Sequence, residues 1–316
     1  MKAAVVNDLK EAPKVSVIET PKPAANEQTV HVLAAAVYPR VRSQANGTHY
    51  TSTGELPFVP GLDGVGQTET GQTGYFITSN AKYGALAEQT VIDHHRFIPL
   101  GNDIDAARVA AGMNPAMSAW MSIKVRVGDL TGKKVMILGA TGAAGQMAVQ
   151  ISRYLGASEV IGVGRNQTKL TALSELGTTQ TISLRDDQES LRAAFTAAAD
   201  VDVVLDYLWG TVASTAMKVM LPARRNHSQQ LLWIEIGSMS GADMVLPSAA
   251  LRSVNLNLVG SGQGSINARQ YLAELPELAQ LISAGQFKIA STTMPLTELN
   301  ETNWNDVTKR VVYTMD

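Results

Sequence analysis

A chain of 316 residues exceeds the usual size of one domain, so a single large domain or two intertwined ones, with a sizeable core, is expected. Hydrophobic residues at 45% and charged residues at 17% describe an ordinary globular protein, and a formal charge of −2 gives no reason to expect a nucleic-acid or anionic-membrane surface; partners are expected to be small molecules. Cysteine is absent, which excludes disulfides, thiolate metal sites and cysteine nucleophiles and fits a reducing cytoplasm, while no apolar run approaches the ~18 residues of a membrane span and the AAVV after Lys2 is too short for a secretory signal.

Up to about residue 113 the chain is rich in Val, Thr and Gly in short alternating runs: KAAVV from Lys2, KVSVIE from Lys14, TVHVLAAAV from Thr29, GYFITS from Gly74 and ALAEQTVI from Ala85. Punctuated by TPKPAAN and ELPFVPGLDG, these predict short antiparallel strands and turns. His94 and His95 follow directly; as neighbours on a strand they point to opposite faces, so a shared metal ion is not expected and both are read as surface residues.

From about residue 114 the texture changes to an apolar strand followed by a helical period, repeated. KKVMILG leads into Met147, Ile151, Tyr154 and Leu155, closed by Gly156; EVIGVG leads into Leu170, Leu173 and Leu176, closed by Gly177. TIS with ESLRAAFTAAA, VDVVLD with TVASTAMKVM, QQLLWIEIG and LNLVGS continue the series. Strands alternating with helices predict right-handed crossovers and a parallel, doubly wound sheet. From residue 262 on, a helical stretch, QYLAELPELAQLISAG, and a short strand, KRVVYT, are expected to return to the first lobe.

The turn after the first of these strands reads Gly139-x-x-Gly142-x-x-Gly145, with Ala140 at the first glycine of the usual G-x-G-x-x-G. Between an apolar strand and a periodic helix, so little side chain over Thr141, Gly142, Ala143, Ala144 and Gly145 predicts that backbone N–H groups cradle the pyrophosphate of a dinucleotide. An NAD site wants an acid at the end of the second strand. Here Gly164-Arg165 stands there, with Asn166 next and Lys169 a helical turn on, cations that suit a 2′-phosphate and favour NADPH.

PGLDGVG (Pro60 to Gly66), GALAE (Gly84 to Glu88), NPAMSAW (Asn114 to Trp120), GATGAAGQMAVQISRYLGA, VDVVLDYLWG, IEIGSMSG and LVGS follow one another in an order that resembles the medium-chain dehydrogenase/reductase superfamily, and most of all its zinc-independent, quinone-oxidoreductase-like branch. The resemblance implies an α/β architecture in which a GroES-like β-barrel catalytic domain, residues 1–113 and 262–316, surrounds an inserted Rossmann dinucleotide-binding domain, residues 114–261. It also implies a homodimer joined through LNLVGS, and cofactor contacts from Asn114, Ser118, Asp206, Gly237, Ser238 and Gly260. The chain departs from the zinc-dependent members at Tyr38-Pro39, where they carry Cys, and at Gly61-Leu62-Asp63, where they carry G-H-E, so neither of their zinc sites can be built.

The activity implied is hydride transfer from NADPH to a quinone or an α,β-unsaturated carbonyl, with the charge that develops on oxygen stabilised by hydrogen-bond donors in place of a metal. Tyr38 and Tyr50 are the expected proton donors, with Arg40, Asn114, Ser118 and the backbone around Gly237-Ser238 as further donors; Asp63 is read as a turn residue. Two alternatives stay open: a dinucleotide-binding sensor or structural protein without turnover, and an alcohol or aldehyde oxidoreductase. The Tyr-x-x-x-Lys pair of short-chain dehydrogenases, the P-loop and the G-x-S-x-G elbow are absent.

Overall fold

The structure is a computed structural model and describes residues 1–49, 52, 54–262, 264–307 and 310–315. Tyr50, one of the two expected proton donors, lies outside the described residues. The chain divides into two compact units, one of Met1–Asn114 with Leu275–Asp316 and one of Pro115–Glu274.

In the first unit the alternating runs form strands. β1 (Lys2–Val5) and β2 (Lys14–Val17) make an antiparallel pair. β3 (Glu27–Val37) is the longest strand, and its second half is buried on both faces, as its run of small apolar residues allows. A short helix, α1 (Pro39–Ala45), follows with proline at its first position, where the missing N–H and fixed φ fit a helix start. Then come β4 (Asp63–Thr68), β5 (Thr73–Ile77), β6 (Gln89–Asp93), β7 (Phe97–Pro99) and the helix α2 (Ala106–Ser122). Neither α1 nor α2 is anticipated by the strand-and-turn reading of this region. His94 and His95 lie on an exposed 3₁₀ turn in which the Asp93 side chain accepts from the His95 amide, and not on a strand; the argument from opposite strand faces therefore does not apply to them. Among the described residues no group of three or more His, Cys, Asp or Glu is arranged to hold a metal ion.

The second unit takes the βα alternation through β8 (Lys134–Leu138), α3 (Ala143–Tyr154), β9 (Glu159–Gly164), α4 (Gln167–Ala172), β10 (Gln180–Ser183), α5 (Gln188–Ala197), β11 (Val203–Asp206), α6 (Gly210–Ala223), β12 (Leu231–Glu235), α7 (Ala250–Ser253) and β13 (Leu256–Gly260). All six strands are parallel, in the order β10-β9-β8-β11-β12-β13, the doubly wound arrangement read from the sequence. Helices cover both faces of such a sheet, which is why residues 135–138 of β8 and 203–205 of β11 are unbroken apolar runs and are buried. Met136, Ile161, Phe195, Val204, Met217 and Trp233 are among its core.

The chain then forms α8 (Ala268–Ser283), β14 (Thr292–Pro295), α9 (Glu301–Asn305) and β15 (Val311–Thr314). β15 pairs antiparallel with β3, Val311 opposite Val37, and completes a 7-stranded sheet in the order β14-β15-β3-β4-β5-β7, with β6 also paired to β3. No described helix is long and apolar enough to cross a membrane.

Candidate functional site

The glycine turn of the second unit is built by backbone. Gly139, at φ 92°, and Ala140 both donate their N–H to the carbonyl of Val163 on the neighbouring strand, each at 2.9 Å, which pins the turn to the end of β9. Gly142 is the N-cap of α3 with no side-chain cap, and the amides of Ala143, Ala144 and Gly145 precede the first acceptor the helix can offer them. The two glycines have different work. A Cβ on Gly145 would stand 2.2 Å from the Gly139 carbonyl oxygen, so glycine there lets helix and turn touch; a Cβ on Gly142 would meet nothing nearer than 3.5 Å and would stick into the open approach to the amides. Gly164 repeats the first device, since its Cβ would stand 2.6 Å from the Thr141 methyl. An anionic group suits this cradle through the amides and the helix dipole.

Arg165, exposed at the end of β9, lines a cavity of about 440 Å³ whose walls include Leu184, Leu191, Leu208, Thr211 and Met239. A cation at the rim of an apolar slot suits an anionic substituent on a flat apolar body. Lys169 is exposed one turn on, whereas the carbonyl oxygen of Asn166 caps α4 by accepting from the Lys169 amide at 3.0 Å. That oxygen serves the helix, so the expected cofactor contact of Asn166 is left to its amide nitrogen. None of the apolar wall was anticipated; its residues lie on three different βα connections, and only the assembled sheet brings them together.

Asp206 does not face outward. It is fully buried at the end of β11, where one oxygen accepts from the amides of Leu208 and Trp209 at 2.9 and 2.8 Å and the other accepts from Trp233 Nε1 at 2.9 Å. Burial holds its carboxyl above the ordinary carboxylate value, against those three donors. The expected cofactor contact is thereby corrected to a clamp on the turn that follows β11. Trp209 in that turn has φ 53°, the only positive φ of a residue other than glycine among the described residues. Gly237 donates its N–H to the Asp206 carbonyl at 3.1 Å, so this amide is committed and does not serve as an oxyanion donor; Ser238 and Gly260 are exposed. Ser118 is half-buried, its hydroxyl 3.1 Å from the Pro115 carbonyl and 3.2 Å from the hydroxyl of Tyr207, a residue the sequence reading passed over.

The first unit holds a buried polar cluster. Tyr38, 4% exposed, donates its hydroxyl to Asp63 at 2.6 Å, and Tyr75, fully buried, donates to the other carboxylate oxygen at 2.5 Å. The Tyr38 oxygen in turn accepts from Asn114 Nδ2 at 3.0 Å. The Arg310 guanidinium lies 5.1 Å from the centre of the Tyr38 ring and donates to the Ala111 carbonyl. The register explains the meeting: Tyr75 pairs with Val65 across β4 and β5, so Tyr75 and Asp63 are diagonal neighbours on one face of the sheet. Asp63 is therefore a strand residue with two buried donors, not the turn residue read from PGLDG. Burial raises its pKa above the usual value, opposed by the two tyrosine hydroxyls and Arg310, and burial followed by the Asp63 charge holds both phenols well above theirs. Tyr38 has its hydroxyl enclosed on both sides, while Arg40 leaves Nε buried without a hydrogen-bond partner. The signal for Tyr75 was an aspartate in an apolar segment with no partner in the sequence nearby.

Three comparisons bear on this arrangement. The family described as zinc-binding dehydrogenase matches residues 143–282. The chain is 29% identical over 331 residues to a probable NADPH-dependent quinone reductase, tdiC, of Emericella nidulans, an alignment that covers 92% of each chain. Among solved structures it is similar to a quinone oxidoreductase of Thermus thermophilus, with a TM-score of 0.77, 21% identity and full coverage of both chains, and to a mycobacterial quinone oxidoreductase, with a TM-score of 0.83, 17% identity and 99% coverage of both. At these identities the solved structures speak for the fold.

Proposed function

We propose that the chain belongs to the medium-chain dehydrogenase/reductase superfamily, in its quinone-oxidoreductase-like branch, and that it is an NADPH-dependent oxidoreductase that reduces a quinone or an α,β-unsaturated carbonyl without a metal. The observation that carries the reading is the glycine turn: an open approach at Gly142, a helix held close by Gly145, and Arg165 at the rim of an apolar cavity. The name of the Emericella relative supports the same cofactor and substrate class.

The amides from Thr141 to Gly145 would hold the pyrophosphate, and Arg165 with Lys169 the 2′-phosphate. Ser118, Gly237, Ser238 and Gly260 would line the remainder, and the family resemblance adds Asn114 to the cofactor contacts. Bound there, NADPH supplies the hydride. The protein's part is to orient the two reactants and to stabilise the charge left on the acceptor oxygen. The family resemblance alone offers Tyr50 as the direct donor to that oxygen. Tyr38, with its proton on Asp63 and its oxygen receiving Asn114, acts as a positioning residue that fixes which way the Asn114 carboxamide faces. Against a zinc mechanism, the residues at the places where zinc-dependent relatives carry ligands are Tyr38, Leu62 and Asp63, and the Asp63 oxygens already accept from two hydroxyl donors. In this reading residues 1–113 and 262–316 form the catalytic domain and 114–261 the dinucleotide-binding domain of a cytoplasmic homodimer joined through β13, which ends its sheet.

The test is NADPH oxidation by purified protein against quinones, enones, enoyl thioesters and aldehydes, before and after chelator treatment. Turnover of quinones or enones that survives chelation is the expected result. Binding of NADPH without turnover of any acceptor would assign the chain to the non-catalytic alternative, and turnover of aldehydes alone to the alcohol branch.

A further inference from the structure

Tyr207 follows the Asp206 clamp at the C-terminal end of β11 and is half-buried. Its hydroxyl and that of Ser118 are 3.2 Å apart, and Ser118 Oγ lies 3.1 Å from the Pro115 carbonyl. A serine has one proton to give, and a carbonyl can only accept; with that proton on Pro115, the tyrosine is the donor to Ser118. The lone pairs of the phenolic oxygen are then left for something else. Because the chain Tyr207 to Ser118 to Pro115 ends on a backbone carbonyl, it cannot pass a proton on. The pair is a fixed acceptor and not a relay, and burial, which pushes the Tyr207 phenol up, keeps it protonated.

The surroundings say what that acceptor meets. A Cβ on Gly139, at the end of β8, would lie 3.3 Å from the Tyr207 Cβ, and one on Gly237, just after β12, would lie 3.4 Å from the Tyr207 carbonyl oxygen. Tyr207 therefore stands where three strand ends converge, beside the glycine turn. The strand order reverses at β8, with β9 and β10 on one side and β11, β12 and β13 on the other, and in such sheets a dinucleotide lies across that reversal. Arg165, at the end of β9, marks the adenosine side. Beyond the pyrophosphate the other half of a dinucleotide bound this way would cross toward β11, where Tyr207 is. The backbone there is also held against its own preference: Trp209 keeps φ 53° and ψ −153° because Asp206 binds the amides of Leu208 and Trp209, and Met239 donates to the Tyr207 carbonyl at 3.3 Å. Backbone strain of this kind persists where the surroundings over-determine it, commonly at ligand clamps.

We propose that Tyr207 binds the nicotinamide-riboside half of the cofactor, its phenolic oxygen accepting a hydrogen bond from an N–H or O–H donor of that half. The inference rests on the NADPH reading above and adds a residue that neither the glycine turn nor Arg165 implies.

Equilibrium titration with NADPH, reduced nicotinamide mononucleotide and 2′,5′-ADP tests it. In Tyr207→Phe, affinity for NADPH and for the reduced mononucleotide should fall about three- to tenfold, the range of one neutral hydrogen bond. Affinity for 2′,5′-ADP should not move, which also certifies the fold of the variant, since general damage to the unit would lower all three. Repeating the NADPH titration with the 3-acetylpyridine analogue, which lacks the carboxamide nitrogen, tells the two donors apart: a persisting loss points to a ribose hydroxyl, a vanished one to the carboxamide. Unchanged NADPH binding in Tyr207→Phe, or an equal loss on all three ligands, overturns the proposal. If Tyr207→Phe does not fold, the same titrations on Tyr207→Leu decide, with the same split expected and the same results overturning the proposal, since leucine likewise offers the ligand no hydroxyl oxygen. Wild-type protein that binds none of the three refutes the NADPH reading itself and this inference with it.

Discussion

Replacing Asp63 by alanine should be among the most damaging single changes in the first unit. The carboxylate, 3% exposed, is the acceptor for both Tyr38 and Tyr75, so Asp63→Ala leaves two buried hydroxyls with nothing to donate to. Each orphaned donor costs about 1–3 kcal/mol, and the loss of the charge opposite the half-buried Arg310 comes on top, so a destabilisation of about 3–6 kcal/mol is expected against a total that is usually about 5–15 kcal/mol. Urea unfolding followed by far-ultraviolet circular dichroism measures it. The sharper comparison is the triple variant Tyr38→Phe, Asp63→Ala, Tyr75→Phe. Removing donors and acceptor together leaves no buried hydroxyl orphaned, and the Asn114 amide that loses the Tyr38 oxygen is only half-buried, so the triple variant should recover about 2 kcal/mol or more over Asp63→Ala alone, the share due to Arg310 remaining lost. An Asp63→Ala protein within about 0.5 kcal/mol of wild type, or a triple variant no more stable than the single one, would refute the argument that the cluster is mutually satisfied.

The same carboxyl sets a pH dependence with a definite sign. Burial, the largest influence, raises its pKa in the fold above the ordinary value of about 3.9, so the folded state holds the proton more tightly than the unfolded chain. The stability this contributes is present below the unfolded pKa and lost as pH rises through the folded one; the advantage of wild type over Asp63→Asn in urea unfolding should therefore shrink as pH is raised from about 4. Gly145→Ala, whose Cβ would stand 2.2 Å from the Gly139 oxygen, should lower thermal stability by about 1–3 kcal/mol, whereas Gly142→Ala should unfold like wild type and lose NADPH affinity. Arg165→Ala should weaken NADPH about tenfold in a fluorescence titration and leave NADH nearly unchanged, since only the former carries the 2′-phosphate that a guanidinium recognises.

Much of the second unit was legible because each βα step is local. An apolar run, a turn and a helical stripe closed by glycine are all written within about thirty residues, and right-handed crossover then orders them. The glycine turn after β8 was legible for the same reason. The first unit was harder. α2 carries alanines on every face, a single charged residue and Pro115 within it, so no charged stripe announces a helix, and α1 is only 7 residues long. Asp63 was misread because its partners lie 25 and 12 residues away on other strands, and the cation opposite them sits near the far end of the chain. Asp206 was placed correctly at a strand end but turned the wrong way, since its direction depends on the parallel register that sets Val204 beside Trp233 on the next strand. Asn166, by contrast, carried a readable helix-cap signal three residues before Lys169.

The pairing of β15 with β3 has a consequence for how the protein is made. Residues 34–37 leave the ribosome with one neighbour of their sheet still untranslated, and at about 5–20 residues per second the roughly 270 residues that separate the two strands take on the order of fifteen seconds to a minute to follow. The whole of the parallel sheet is synthesised within that interval. A nascent chain thus carries an open, alanine-rich strand edge while its middle part already has everything it needs to fold, and that edge is where a chaperone, or a neighbouring nascent chain on the same messenger, meets it first.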